Sequence, residues 1–287
     1  MLYSTRSAVV ALHKTSKQLK KQKVIGFPVT AEPFETQIDT ILGWAQQRLS
    51  KIVCVANVHM LIEAKSNIGF ASILYRADML TPDGMPLAWL TSWMNKRRQD
   101  RVAGMDILLS LCRKASHHDV SLFFLGSTPE VLGKIQQRLS QDYPNLSIAG
   151  IEDLPFRPLT YAEDMELVHR INNSGAGIVF ISLGCPKQER WMNAHKHKIN
   201  AVMIGLGGVF PVFAGVHKWA PAWVRKSGFE WLYRLLQEPQ RLWQRYATTI
   251  PLFLLLAAKQ IVKVKLGLEP RNCIQPGSMI AMEYQGK

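Results

Sequence analysis

The 287-residue chain predicts an α/β fold, a Rossmann-like and mostly parallel sheet flanked by helices, followed by a helical C-terminal appendage. Three observations predict it. From residue 52 onward, short apolar runs alternate with longer stretches of helical periodicity, the pattern of repeated βαβ units. Each apolar run ends in polar or Gly/Pro punctuation. After Ala214 the character changes, with Trp219, Trp223, Arg225, Trp231, Arg234, Arg241, Trp243 and Arg245 crowded together.

The predicted strands are 52–56, 79–81, 121–125, 147–151, 177–183 and 201–206. Ligands of parallel sheets gather at the carboxyl ends of the strands. The segments to read first are therefore Asn57, Pro82-Asp83-Gly84, Gly126-Ser127-Thr128, Gly184 to Gln188, and Gly207-Gly208. Around this core, residues 1–24 read as a basic N-terminal extension without the uninterrupted apolar region of a signal peptide. The α/β core is expected over 25–215 and the Arg/Trp-rich appendage over 216–250. An amphipathic segment and tail fill 251–287. The strongest apolar stretch, 250–258, is far shorter than the roughly 18 to 20 residues that span a bilayer, so no crossing is expected. Its continuation to 266, with Lys259, Lys263 and Lys265 among leucines and valines, suits a membrane surface; a C-terminal helix packed on the body has the same pattern.

A 47% hydrophobic content with both charge signs present supports a folded body, and a formal charge of +14 implies an anionic partner. Nucleic acid, anionic lipid and a phosphate-rich substrate all satisfy that charge. Cys54, Cys112, Cys185 and Cys273 are scattered, without CxxC pairing, and read as reduced thiols of a cytoplasmic protein.

Thr81-Pro82-Asp83-Gly84 puts a carboxylate in a turn directly after a strand. There Asp83 could take a proton from an attacking hydroxyl, although Pro-Asp-Gly is also good turn chemistry. Leu125-Gly126-Ser127-Thr128-Pro129 reads as a strand end running into a helix N-terminus, where Thr128 can cap and a phosphate can rest. Gly205-Leu206-Gly207-Gly208 matches neither the dinucleotide fingerprint nor the phosphate loop; it signals close backbone approach to a ligand or to another chain segment. Gly184-Cys185-Pro186-Lys187-Gln188 leaves Gln188 near the sheet mouth, free to bond a sugar or base or to stand in solvent. Arg234, Arg241 and Arg245 would share one helix face, but Pro239 is expected to break the helix and make them converge instead. Such guanidinium groups suit a diphosphate. No metal-ligand constellation and no cofactor motif stands out. The histidines, including His117, His118, His195 and His197, read as dispersed surface residues.

The order of these motifs is more specific than any one of them. Asn57, Thr81-Pro82-Asp83-Gly84-Met85, Arg101-Val102-Ala103-Gly104-Met105-Asp106 and Phe124-Leu125-Gly126 come first. Gly184-Cys185-Pro186-Lys187-Gln188-Glu189-Arg190-Trp191, Gly205-Leu206-Gly207-Gly208-Val209-Phe210 and the block from Gly228 through Glu230-Trp231-Leu232-Tyr233-Arg234 to Pro239 follow. The arrangement, from about residue 28 to 246, resembles the WecG/TagA/CpsF family, glycosyltransferase family 26.

That resemblance implies an inverting, metal-independent transfer from a UDP-sugar to a polyprenyl-diphosphate-linked sugar in bacterial surface or exopolysaccharide synthesis, at the inner membrane face. It makes Asp83 the base, with Asn57 and Gln188 lining the donor and acceptor cleft and Arg234, Arg241 and Arg245 closing over the diphosphate. Thr81, Arg101, Asp106, Gly126, Ser127, Gly205, Gly207 and Gly208 complete the expected substrate-binding set. Val55, Pro211 and Trp219 stand where relatives often carry Thr, Asp and Arg. They are expected to touch donor or acceptor, which brings neutral glucose-type donors into consideration. The rival readings are a single-stranded nucleic-acid-binding protein, supported by the charge and the Trp/Arg interleaving, and a nicotinamide-dependent sugar-nucleotide enzyme, which lacks its phosphate loop. The amphipathic tail favours the transferase, with no nucleic-acid partner. A helix-rich appendage packs equally well in cis or against a second copy, so homo-oligomerisation stays open.

Overall fold

The computed structural model describes residues 19–155 and 157–271, and the backbone of Cys273 and Ile274. Its centre is a six-stranded sheet of β3 (Lys51–Ala56), β4 (Met79–Pro82), β5 (Leu122–Gly126), β6 (Ile148–Glu152), β7 (Ile178–Ser182) and β8 (Val202–Gly205). The strand order is β4-β3-β8-β7-β5-β6, and every pairing is parallel. Each predicted strand agrees with its observed bounds to within one residue at either end.

Alternate side chains feed two cores. Ile52, Cys54 and Ala56 point into one, while Val53 and Val55 point into the other. The first core is covered by α2 (Val58–Ser66), α3 (Ile68–Arg76), α4 (Met85–Asn95), α7 (Tyr161–Asn173) and α8 (Lys187–His195). The second is covered by α1 (Phe34–Gln46), α5 (Gly104–Ala115), α6 (Pro129–Asp142) and α9 (Val209–Phe213). Burial on both faces is why these strands read as continuous apolar runs.

A smaller antiparallel sheet was not foreseen. It joins β1 (Lys21–Val24), β2 (Phe27–Thr30) and β9 (Cys273–Ile274) in the order β2-β1-β9. Ile25 and Gly26 make the turn with φ of 41° and 100°, the double positive φ of a type I′ hairpin. The boundary drawn at residue 24 therefore cuts through a hairpin. Residues 1–18 of the expected extension, and 275–287 of the expected tail, lie outside the described residues.

The appendage comprises α10 (Ala222–Ser227), α11 (Glu230–Gln237) and α12 (Pro239–Lys265). Pro239 opens a new helix, as expected. Gly228 ends α10 with φ 83°, and a Cβ there would lie 2.8 Å from the ring of Trp89 on α4, so the glycine lets the turn sit down on the core.

Helix α12 revises the C-terminal reading. It runs unbroken through Pro251, so the division at 250/251 falls inside one helix of 27 residues. By length and composition this helix could cross a membrane, contrary to the expectation drawn from 250–258 alone. One face nevertheless binds the body. Thr249, Phe253, Ala257, Gln260 and Val264 recur at helical spacing and are buried. Gln260 accepts from Ile25 N at 2.8 Å and donates to the Lys23 carbonyl at 3.0 Å, fastening α12 to the hairpin. Leu252, Leu254, Leu255, Val262 and Leu266 remain exposed.

Cys54 and Cys112 are buried free thiols and Cys185 is a half-buried one. The Cys273 side chain lies outside the described residues. His195 departs from the surface reading: it is 3% exposed, with Nε2 3.0 Å from both Asp164 carboxylate oxygens and Nδ1 2.7 Å from the Trp191 carbonyl.

Candidate active site

The cleft lies at the carboxyl end of the sheet. β4 delivers Asp83, whose N–H donates to the Ala56 carbonyl of neighbouring β3 at 2.8 Å, so the turn is registered against the sheet. Thr81 is fully buried and gives its hydroxyl to the Val102 carbonyl at 3.2 Å; Val102 N returns a bond to the Pro82 carbonyl. Thr81 thus braces segment 101–103 beneath the cleft.

That segment carries Arg101. Its guanidinium donates to Asp106 at 2.7 Å and to Glu230 of α11 at 2.6 Å. Arg225 of α10 lies 3.5 Å from the other Asp106 oxygen and stacks over Trp219, 3.8 Å from the ring centre. Two pairs therefore lock appendage to core. Asp83, Arg101, Gly104, Met105, Val209, Lys218, Trp219, Glu230 and Arg234 line the enclosed space. It measures about 40 Å³, well below the roughly 300 Å³ of ordinary small-molecule pockets, so the appendage covers the site closely. A larger open hollow, about 510 Å³, lies around Cys112 and Tyr143 and shares no residue with this cleft.

Burial and the nearby Glu230 push the Asp83 carboxyl up to about 7; Arg101 and Arg234 oppose the rise and Asp106 adds to it. A carboxyl balanced near neutrality can accept a proton and later release it, the requirement for general base work. Among the described residues, no group of three or more His, Cys, Asp or Glu side chains is placed to hold a metal ion.

The three appendage arginines do not behave alike. All three lie near Tyr246, whose hydroxyl burial raises and whose titration each guanidinium lowers. Arg241 is exposed and bound through two nitrogens to Glu238. Arg234 reaches the glycine loop: a Cβ on Gly208 would be 3.3 Å from its Nη2. Arg245 is half-buried, with Nε unpartnered; burial holds the neighbouring His59 imidazole down at about 4, and the Arg245 charge adds to that. Arg234 and Arg245 thus present guanidinium groups that no carboxylate among the described residues neutralises by a direct hydrogen bond.

The glycines are explained by neighbouring chain segments. Cβ atoms on Gly205 and Gly207 would lie 2.8 and 3.3 Å from the Gln188 amide. Gly126 has φ 89°, and its Cβ would meet the Ser182 carbonyl at 2.9 Å; Ser127 follows at φ 77°. Thr128 caps α6 as foreseen, accepting from Val131 N. Asn57 likewise caps α2, accepting from Met60 N at 3.1 Å. Gln188 is 4% exposed, not solvated, and donates to Glu189 at 2.8 Å. Of the three departing positions only Trp219 lines the cleft. Val55 is buried in the core behind Gly104, and the Pro211 carbonyl accepts from Val216 and His217.

Sequence reasoning passed over Glu230, Glu189, His59 and Lys218. Glu230 and Glu189 stood inside the quoted motif blocks, so a signal was present; nothing in the spacing singles out His59 or Lys218.

Residues 22–266 match the model of the glycosyl transferase WecG/TagA/CpsF family. The chain is 34% identical over 204 residues to an N-acetylglucosaminyldiphosphoundecaprenol N-acetyl-beta-D-mannosaminyltransferase of Bacillus spizizenii strain W23, covering 70% of this chain and 77% of the relative. A protein of that name from Bacillus subtilis strain 168 is 31% identical over 219 residues, covering 76% and 82%. One from Staphylococcus aureus strain MW2 is 32% identical over 220 residues, covering 74% and 82%. A parallel α/β core, a carboxylate-centred cleft under a basic helical appendage, and these likenesses lead to one conclusion: the chain is an enzyme that belongs to the WecG/TagA/CpsF family of glycosyltransferases.

Proposed function

We propose that this enzyme transfers a sugar from a UDP-sugar to a sugar carried on polyprenyl diphosphate, with inversion, in bacterial surface polysaccharide assembly. The observation that carries the proposal is Asp83, a carboxyl raised to about 7 and enclosed with Arg234 and Arg101 under the appendage. The relatives' names describe transfer onto an undecaprenol-diphosphate-linked acceptor, which supports the acceptor class.

In the proposed step the acceptor hydroxyl attacks the anomeric carbon from the face opposite UDP. Asp83 takes the hydroxyl proton as the new C–O bond forms, and the old bond's electrons leave on the diphosphate. Charge then grows on the leaving group. Arg234 and Arg245, free of carboxylate partners, are positioned to receive it, which is how the transfer would proceed without a metal. The apolar outer face of α12 with its lysines fits a peripheral position on the inner face of the plasma membrane, where a lipid-linked acceptor resides.

The test is UDP release in EDTA from a panel that includes UDP-N-acetylmannosamine and UDP-glucose, with a synthetic polyprenyl-diphosphate-sugar acceptor. Acceptor-dependent release from one donor, reduced on the order of 10²- to 10⁴-fold in Asp83→Asn, is expected. Release from no donor, or full activity in the variant, sinks the proposal.

A further inference from the structure

Gln188 and Glu189 form a buried pair that a merely structural role does not account for. Glu189 is 0% exposed and Gln188 4% exposed. The Gln188 amide nitrogen donates to Glu189 Oε1 at 2.8 Å. Its oxygen, Oε1, has no partner, and neither does Glu189 Oε2. An unpaired buried acceptor costs about 1–3 kcal/mol, so a fold that keeps one beside a glycine loop invites a donor from elsewhere.

The Cys185 thiol lies beside the Glu189 carboxyl, while the groups nearest the Gln188 oxygen are already engaged. Gly207 N is taken by the Ile181 carbonyl, and the Ser182 hydroxyl by the Gly207 carbonyl. The space beside the amide is kept by glycines. A Cβ on Gly207 would approach Gln188 Oε1 to 3.3 Å, and that same position lies 3.8 Å from the Cα of Gly184, whose own missing side chain opens on empty space. Next along the loop, Gly208 faces Arg234 of the Asp83 cleft.

We infer that Glu189 is a positioning residue: it holds the Gln188 amide nitrogen so that Gln188 offers the glycosyl donor only an acceptor oxygen, matched to a hydroxyl or amide N–H of the transferred sugar. This rests on the proposed use of a UDP-sugar. Free to rotate, an amide would meet acceptors and donors alike. With its nitrogen committed to a carboxylate, it reads one polarity and rejects a sugar that presents an acceptor at that place, because the buried pair would then face each other unbonded.

Calorimetric titration with UDP and with UDP-N-acetylmannosamine separates the two claims, using wild type, Glu189→Gln, Glu189→Leu and Gln188→Met, each checked for native circular dichroism. Glu189→Leu and Gln188→Met should bind UDP as wild type does but lose about tenfold or more in affinity for the UDP-sugar. Glu189→Gln keeps an acceptor oxygen for the Gln188 amide and should retain most of that affinity. Unchanged UDP-sugar binding in a folded Glu189→Leu or Gln188→Met overturns the inference. So does an equal loss for UDP and UDP-sugar, the mark of general damage. Wild type that binds neither ligand overturns the proposed function itself.

Discussion

Arg101 in the core donates to Glu230 in the appendage at 2.6 Å, and the same Glu230 is the charge that most raises the Asp83 carboxyl. Burial is the larger cause of that rise, and the contact that seats the appendage adds to it.

The first prediction follows from the sign. Asp83 acts as a base only when ionised, so the transfer rate should rise with pH through about 7. Glu230→Gln removes a nearby negative charge and leaves Arg101 and Arg234 in place, which lowers the Asp83 pKa. The rising limb of kcat/KM against pH should move to lower pH, even as overall activity falls with the loosened appendage. A limb that stays near 7 in the variant would show that Glu230 does not tune the base.

A second prediction separates the arginines. Arg241 spends its guanidinium on Glu238 at the exposed surface, whereas Arg234 and Arg245 have no such partner. Hydrogen bonds to charged groups contribute about 1.5–3 kcal/mol. Arg234→Ala and Arg245→Ala should each weaken UDP binding by about tenfold or more, with Arg241→Ala costing about threefold or less. Titration calorimetry at two salt concentrations checks the ranking; equal losses at all three positions would contradict it.

How far the sequence foretold this site depended on the kind of signal. Strand runs buried on both faces announce themselves, and so does Thr128 before Pro129. Pro239 foretold the helix break because its ring cannot continue a helix. Polar residues were harder. Their local bonds could not be read from the motifs: Thr81 gives its hydroxyl to Val102, Gln188 gives its amide nitrogen to Glu189, and Asn57 caps α2. The glycines of 205–208 signalled close approach without naming Gln188 and Arg234 as what approaches. The β1–β2 hairpin was hidden because its turn uses Ile25 at positive φ, a residue that seldom adopts it. The change of composition that suggested a division at 250/251 does not interrupt the backbone, and α12 runs through Pro251.

Glu189 gives a prediction about stability. Burial pushes its carboxyl up to about 7 from an ordinary 4.5, with Gln188 and Cys185 pulling the other way. The folded state thus holds this proton more tightly than the unfolded chain does. Its contribution is fully present below about 4.5 and is lost as pH rises through about 7. Glu189→Gln, which never ionises, should match wild type near pH 4 and exceed it above pH 8 by on the order of 3 kcal/mol. Thermal melts across pH measure the difference, and equal Tm shifts at both ends would show that the carboxyl does not ionise unfavourably in place.

The last prediction concerns α12. Its inner face is spent on the body through Phe253, Ala257, Gln260 and Val264, while Leu254 and Leu255 stand 60% and 65% exposed. A helix held this way cannot also traverse a bilayer without breaking the Gln260 bonds to Lys23 and Ile25, which would leave the buried Ile25 N–H without its partner. In the proposed peripheral position the outer leucines would insert and Lys259, Lys263 and Lys265 would face anionic headgroups. Burying each leucine contributes about 1.5–3 kcal/mol, so Leu254→Glu with Leu255→Glu should abolish cosedimentation with vesicles containing anionic lipid. The same variant should still turn over a short-chain, water-soluble acceptor, because neither residue lines the cleft. Undiminished vesicle binding would assign membrane contact to another surface, whereas resistance of the wild type to extraction by salt and alkaline carbonate would mean that α12 leaves the body and inserts.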